Sequence, residues 1–139
     1  MTLHAPFISM MLLTFVVWIY MYARRIPFIR SLDVAMDQLT RPGELARLSP
    51  PAINNPSENL KNLFEMPVLF YGIALYLDDV GQTDALHLAA AWTFVVFRAL
   101  HSLVHCTFNH VPLRFSLYAI SSLALAFMIV RAAIALVAP

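Results

Sequence analysis

The chain is poor in the residues on which most soluble domains depend. Only 12% of its 139 residues are charged, against about 25% in an average soluble domain. Neither sign dominates, since nine Lys plus Arg and eight Asp plus Glu leave a net charge of +1. That balance excludes the basic surface a nucleic-acid binder needs. The single cysteine, Cys106, excludes an internal disulfide framework and a multi-cysteine zinc site. Three glycines, none in a dinucleotide or Walker pattern, leave no phosphate-cradling loop. No internal repeat is visible and the apolar runs do not pair into similar halves, which disfavours an inverted-repeat transporter. What remains is hydrophobic: 60% of residues are apolar and the mean hydropathy is +0.72. Such a chain is not disordered. It reads as an all-α integral membrane protein, with room for three to five spans of about 20 residues.

The apolar runs predict four spans in one domain, over residues 5–22, 60–77, 85–104 and 112–137. The first carries no charge and ends on Arg24 and Arg25. No basic residue precedes it and no small-residue cleavage site follows, so it is expected to be an uncleaved span rather than a signal peptide. Pro112 suits the first turn of a helix, where no backbone donor is lost. Residues 23–59 form the one long loop, rich in arginine and proline. Its 30–48 stretch has room for a short interfacial helix.

Loop 23–59 carries Arg24, Arg25, Arg30, Arg41 and Arg47, whereas the 78–84 turn has three aspartates and no Lys or Arg. The positive-inside rule then places the long loop and the 105–111 turn in the cytoplasm and both termini on the other side. In a bacterium the membrane would be the inner one, where helical bundles reside.

Polar groups inside spans are informative because each costs several kcal/mol if unpaired. Glu58, Lys61, Asn62 and Glu65 fall at i, i+3, i+4 and i+7 and so share a helical face. They either line a polar pocket or, for Glu58 and Lys61, form an interfacial charge pair. In span three, Arg98, His101 and His105 share a face that extends back through Phe94, Ala91 and His87. Two histidines at i, i+4 can chelate a metal or flank a haem. Cys106, however, points about 100° away from His105, so no metal site is expected. A simpler account pairs Arg98 with Glu65, each neutralising the other's burial; a helix-to-helix pin without ligand is the other. Arg114, at the start of span four, either snorkels to headgroups or clamps an anion. Arg131, near the opposite surface, is expected to snorkel. The three clusters lie at one depth. They suit a polar, anionic ligand from the cytosol beside apolar walls that suit a lipophilic one from the bilayer.

This arrangement resembles the MAPEG family, the membrane-associated proteins of eicosanoid and glutathione metabolism, over roughly residues 5–137. Asn62-Leu-Phe-Glu65-Met-Pro67 is similar to the family's Asn-x-x-Glu followed shortly by proline. Arg98-x-x-His101-x-x-x-His105 looks like its span-three motif, and Arg114 stands where the family places a basic residue after the turn. The resemblance implies a MAPEG-like four-helix bundle, a homotrimer, and glutathione bound near the cytosolic surface between subunits. It carries Asn62, Glu65 and Arg98 over as glutathione-binding residues, with Lys61, His101 and His105 beside them. Arg114 becomes the catalytic residue that stabilises the thiolate. The implied activity is a glutathione transferase or peroxidase acting on lipophilic substrates. Three departures stand out. Glu58 replaces the arginine of glutathione-using members, His105 replaces a tyrosine, and the proline follows Glu65 by two residues. They point to an outlying, bacterial-type member rather than a leukotriene or prostaglandin enzyme. They also keep open a non-catalytic relative that binds a lipid headgroup or a membrane partner.

Overall fold

A computed structural model describes residues 1–137, which among themselves form helices, turns and no strand. Helix α1 (His4–Ser31) includes the first apolar run and continues past it, carrying Arg24, Arg25 and Arg30 beyond the apolar stretch. Pro27 removes one ladder hydrogen bond there. The start of α1 is capped from elsewhere in the chain: the Leu3 N–H donates to both carboxylate oxygens of Asp78, at 3.1 and 3.0 Å. An anionic group at that position also complements the helix dipole.

The long loop does not form the single short helix its 30–48 stretch allows. It holds a 3₁₀ turn (Met36–Thr40) and a five-residue helix α2 (Glu44–Leu48). Pro42 and Gly43 separate the two, with Gly43 at φ +83, a value open to glycine because it has no Cβ.

The expected second span, 60–77, is not one helix. Helix α3 (Pro51–Asn62) stops, and α4 (Met66–Asp79) begins after a break at residues 63–65. Pro67 causes it. Proline has no N–H for the Leu63 carbonyl, and its ring clashes with that carbonyl. Glu65 takes up the change of direction at φ −99, ψ −99. The 14 residues of α4 reach about 21 Å, short of a hydrocarbon core of about 30 Å.

Helices α5 (Ala85–Cys106) and α6 (Val111–Val137) fall where the apolar runs place spans three and four. With α1 they are, among the described residues, the three helices long and apolar enough to cross a membrane. They form an antiparallel hairpin, on which α1, α3 and α4 pack. Phe70 of α4 stacks on Phe94 of α5 with ring centroids 4.6 Å apart. Met10, Leu77, Leu125 and Met128 close the core around that pair. Ala90, Ala91 and Ala132 are buried in the same core, where small side chains permit close helix approach. Large apolar side chains face outward along α1 and α6, including Phe15, Val16 and Leu123, a surface that lipid accepts and water does not.

The bundle has two polar ends. At the aspartate end, Arg131 reaches Asp84, the residue before α5. Its Nη1 donates to Asp84 Oδ1 at 2.6 Å and lies 3.1 Å from His87 Nδ1. The Asp84 side chain also accepts from the His87 backbone N–H and so caps α5. The Arg131 guanidinium, followed by that backbone donor, holds the Asp84 carboxyl well below the usual carboxylate range.

Candidate functional site

The other end gathers the first loop, α3, the last turns of α5 and the first turns of α6. Its polar stripe on α3 is not the one expected. Because α3 ends at Asn62, Glu65 leaves the helical face it would have shared and is exposed, while Asn62 is half-buried. Glu58 and Lys61 are exposed and pair with each other at 2.8 Å, a contact worth only about 0.2–1 kcal/mol. The inward residues are asparagines. Asn59 is fully buried and its Nδ2 donates to Cys106 Sγ at 3.4 Å. One turn earlier, Asn55 Oδ1 accepts from Asn109 Nδ2 at 3.2 Å. Sequence reasoning missed both, although Asn55, Asn59 and Asn62 stand at i, i+4 and i+7, the spacing of one helical face.

On α5 the expected face is intact. Arg98, His101 and His105 are 0, 2 and 3% exposed. The expected Arg98–Glu65 ion pair does not form, because the break at Pro67 turns Glu65 to the surface. The Arg98 guanidinium instead lies over the Tyr118 ring at 4.5 Å and the Phe94 ring at 5.5 Å. None of its three nitrogens has a hydrogen-bond partner among the described residues. His101 and His105 meet edge to face, with ring centroids 5.6 Å apart. The His101 Nδ1 is 3.0 Å from the Arg114 carbonyl. A carbonyl only accepts, so Nδ1 carries a proton and donates it to that carbonyl. Among the described residues, no three His, Cys, Asp or Glu side chains converge as metal ligands. Cys106 is occupied with Asn59 instead.

Arg114 is half-buried in the first turns of α6, and its Nη1 donates to Asn109 Oδ1 at 2.8 Å. That is its one side-chain hydrogen bond among the described residues, so most of its planar donor fork is uncommitted. The fork's shape and permanent charge suit a carboxylate or a thiolate. The end thus brings Arg114, His101, His105, Asn55, Asn59 and Cys106 together. Asn62, Lys61 and Glu65 lie on its open α3 side.

An apolar cavity of about 580 Å³ lies between α1 and the α3–α4 break, lined by Phe7, Phe15, Trp18, Leu63, Phe64 and Tyr71 among others. Its size is that of a drug-sized ligand site. It reaches the break at Phe64, next to Glu65.

No curated protein and no solved structure matches the chain. The model of the MAPEG family, however, matches residues 3–134, nearly the whole sequence. The match spans the broken second segment, the buried arginine–histidine face and Arg114 alike, and the chain belongs to the MAPEG family.

Proposed function

We propose that this MAPEG protein is a glutathione-dependent transferase or peroxidase for lipophilic substrates, with its arginine-rich end in the cytoplasm. The observation that carries the reading is Arg114: a half-buried guanidinium with one side-chain hydrogen bond, to a neutral amide, at the polar end of the bundle. An uncommitted guanidinium there attracts an anion. A thiol with a pKa of about 8.5 is mostly protonated at neutral pH. Lowering that pKa by about two units takes roughly 2.7 kcal/mol of preferential thiolate stabilisation, within reach of a partly desolvated charge at contact distance. The thiol proton leaves to solvent, and the sulfur forms a bond to the electrophilic carbon of the second substrate as that carbon's bond to its leaving group breaks; the leaving group departs with the electron pair and takes a proton from solvent. With a hydroperoxide, the sulfur takes the terminal oxygen as the O–O bond breaks, giving a sulfenic acid and an alkoxide that leaves as the alcohol after taking a proton from solvent; a second glutathione thiol then attacks the sulfenic sulfur, closing the disulfide and releasing water. No covalent enzyme intermediate is needed.

In this reading Asn62, Glu65, Lys61 and Arg98 bind glutathione, with His101 and His105 beside it, and the apolar cavity receives the lipophilic partner. Because Lys61 and Glu65 are exposed on one chain, a ligand held there is covered only when a neighbour packs over it. This supports a homotrimer with sites between subunits. The α3–α4 segment then makes the fourth crossing, and both termini lie on the non-cytoplasmic side. In a bacterium the membrane is the inner one.

One observation favours the second reading, a non-catalytic binder of lipid headgroups. Glu58 neutralises Lys61 at 2.8 Å, which weakens the hold on a ligand with two carboxylates. A thermal-shift titration of the detergent-purified protein separates the two. Glutathione at 100 times Kd should add about 2.7 kcal/mol of stability, and Arg114→Ala should reduce the shift. A shift with anionic lipid and none with glutathione overturns the transferase reading.

A further inference from the structure

Arg114 matters only if its guanidinium points at the ligand, and a long flexible side chain does not hold one direction unaided. Its backbone is fixed from two sides. The Arg114 carbonyl accepts from His101, and its N–H donates to the His110 carbonyl at 3.0 Å. The side chain has a single anchor, Asn109 Oδ1 at 2.8 Å. Asn109 is itself held three ways. Its backbone N–H closes the end of α5 on the Val104 carbonyl at 2.8 Å. Its φ of +47 makes it the one non-glycine residue among those described in the left-handed region, which asparagine reaches more readily than other side-chain-bearing residues. Its Nδ2 donates to Asn55 Oδ1 of α3 at 3.2 Å. The orientation of the carboxamide is set by Arg114: a guanidinium only donates, so the Asn109 oxygen must face it, which leaves the nitrogen for Asn55. A chain of contacts runs from α3 through the α5–α6 turn to the guanidinium of α6.

We propose that Asn109 is a positioning residue, which with Asn55 sets the direction of Arg114 toward its anionic ligand. The effect on a bound thiol rests on the transferase reading above; the effect on Arg114 itself does not. Asparagine suits the role because it is neutral. It fixes the guanidinium without cancelling its charge, as a carboxylate would.

Three variants test this. Asn109→Gly keeps the left-handed turn, which glycine adopts freely, and deletes the anchor. Asn109→Asp keeps the turn and the acceptor but adds a charge. Asn55→Ala removes the outer link. Without any glutathione, each is read by the rate at which phenylglyoxal labels Arg114, measured by mass spectrometry of the full-length protein in detergent. Asn109→Gly should label several-fold faster than wild type, Asn55→Ala less so, and Asn109→Asp at or below the wild-type rate. Equal rates in wild type and Asn109→Gly overturn the proposal, whether or not glutathione binds.

With glutathione, the ultraviolet absorbance of the bound thiolate is followed against pH, alongside the affinity for S-methylglutathione, which has no thiol to ionise. Asn109→Gly should lose thiolate on the order of ten- to a hundredfold at fixed pH, the scale set by small misplacements of reacting groups, and keep its affinity for S-methylglutathione. Asn109→Asp should restore slow labelling yet fail to restore thiolate. If wild type forms no thiolate while the labelling order holds, the transferase reading fails and the positioning role stands. If thiolate and S-methylglutathione binding fall together, Asn109 shapes the fold and not the direction of Arg114.

Discussion

Replacing Arg98 by methionine should make the unliganded protein more stable, not less. The guanidinium is fully buried, and none of its nitrogens has a hydrogen-bond partner among the described residues. Removing an ion of that kind from water costs several kcal/mol even after relaxation. On the credit side are two aromatic faces, Tyr118 at 4.5 Å and Phe94 at 5.5 Å. Desolvated cation–π contacts contribute about 2 kcal/mol each at best, and the longer one contributes less. The balance favours an apolar side chain of similar length, and replacing buried ionic groups by well-packed apolar ones has gained about 1–4 kcal/mol elsewhere. We expect Arg98→Met to gain about 1–3 kcal/mol. At roughly 2–4 °C per kcal/mol for a larger domain, and more for a small one, the melting temperature should rise by several degrees. The same variant should lose stabilisation by glutathione if Arg98 serves the ligand, so the two melting curves should cross as glutathione is added. The assay is thermal unfolding in detergent, with and without glutathione. A loss of 2 kcal/mol or more in the unliganded variant would refute the reasoning, because it would mean that Arg98 has a partner in the free protein.

Pro67→Ala should restore a donor for the Leu63 carbonyl and join α3 to α4. The new amide should be protected in hydrogen–deuterium exchange, and glutathione stabilisation should fall as Glu65 and Asn62 are re-aimed. Phe94→Ala, in the stacked pair at 4.6 Å, should cost about 3–5 kcal/mol in unfolding experiments, the usual range for a buried aromatic. Asp84 has a folded-state pKa below its unfolded value of about 3.9, held there chiefly by Arg131. Its contribution to stability is therefore complete above that value and is lost as pH falls through the folded pKa. Asp84→Asn should flatten the acid limb of the stability profile below about pH 4 and leave its slope near neutrality unchanged.

Much of this architecture is legible in the sequence because lipid simplifies the code. A span is an uninterrupted apolar run, so α1, α5 and α6 could be placed from hydropathy alone, and the inward face of α5 from the spacing of Arg98, His101 and His105. What hydropathy averages away is a single missing N–H. Pro67 lies inside an apolar run that reads as one span, yet it ends α3 at Asn62 and turns Glu65 outward, which removes the expected partner of Arg98. The asparagine stripe was hidden for a related reason. Charged residues attract notice in a membrane segment, and of the stripe Glu58, Lys61, Asn62 and Glu65 the first two form the interfacial charge pair that their spacing allows. The neutral Asn55 and Asn59 face inward instead, because an amide can satisfy part of its hydrogen bonding inside the bundle at a lower desolvation cost than a charge. Arg131 shows the limit of reading depth alone. Its partner Asp84 is 47 positions away, a pairing no local pattern contains.

The break and the hairpin divide the labour of the polar end. Arg114 rises from α6, which packs extensively on α5 and is tied to it by the His101 contact. A group that must stabilise a developing charge gains most from being fixed in advance, since reorientation during reaction would cost part of what it supplies. Asn62 and Glu65 flank a backbone break whose carbonyl at Leu63 lacks the proline donor. Recognition tolerates that freedom better than charge stabilisation does, and a break adjusts more readily than a closed helical turn. The apolar cavity meets this same break at Phe64. In the transferase reading, the segment that would grip the polar ligand thus shares Phe64 with the wall of the lipophilic one, while the charge that would act on the sulfur is carried by the hairpin.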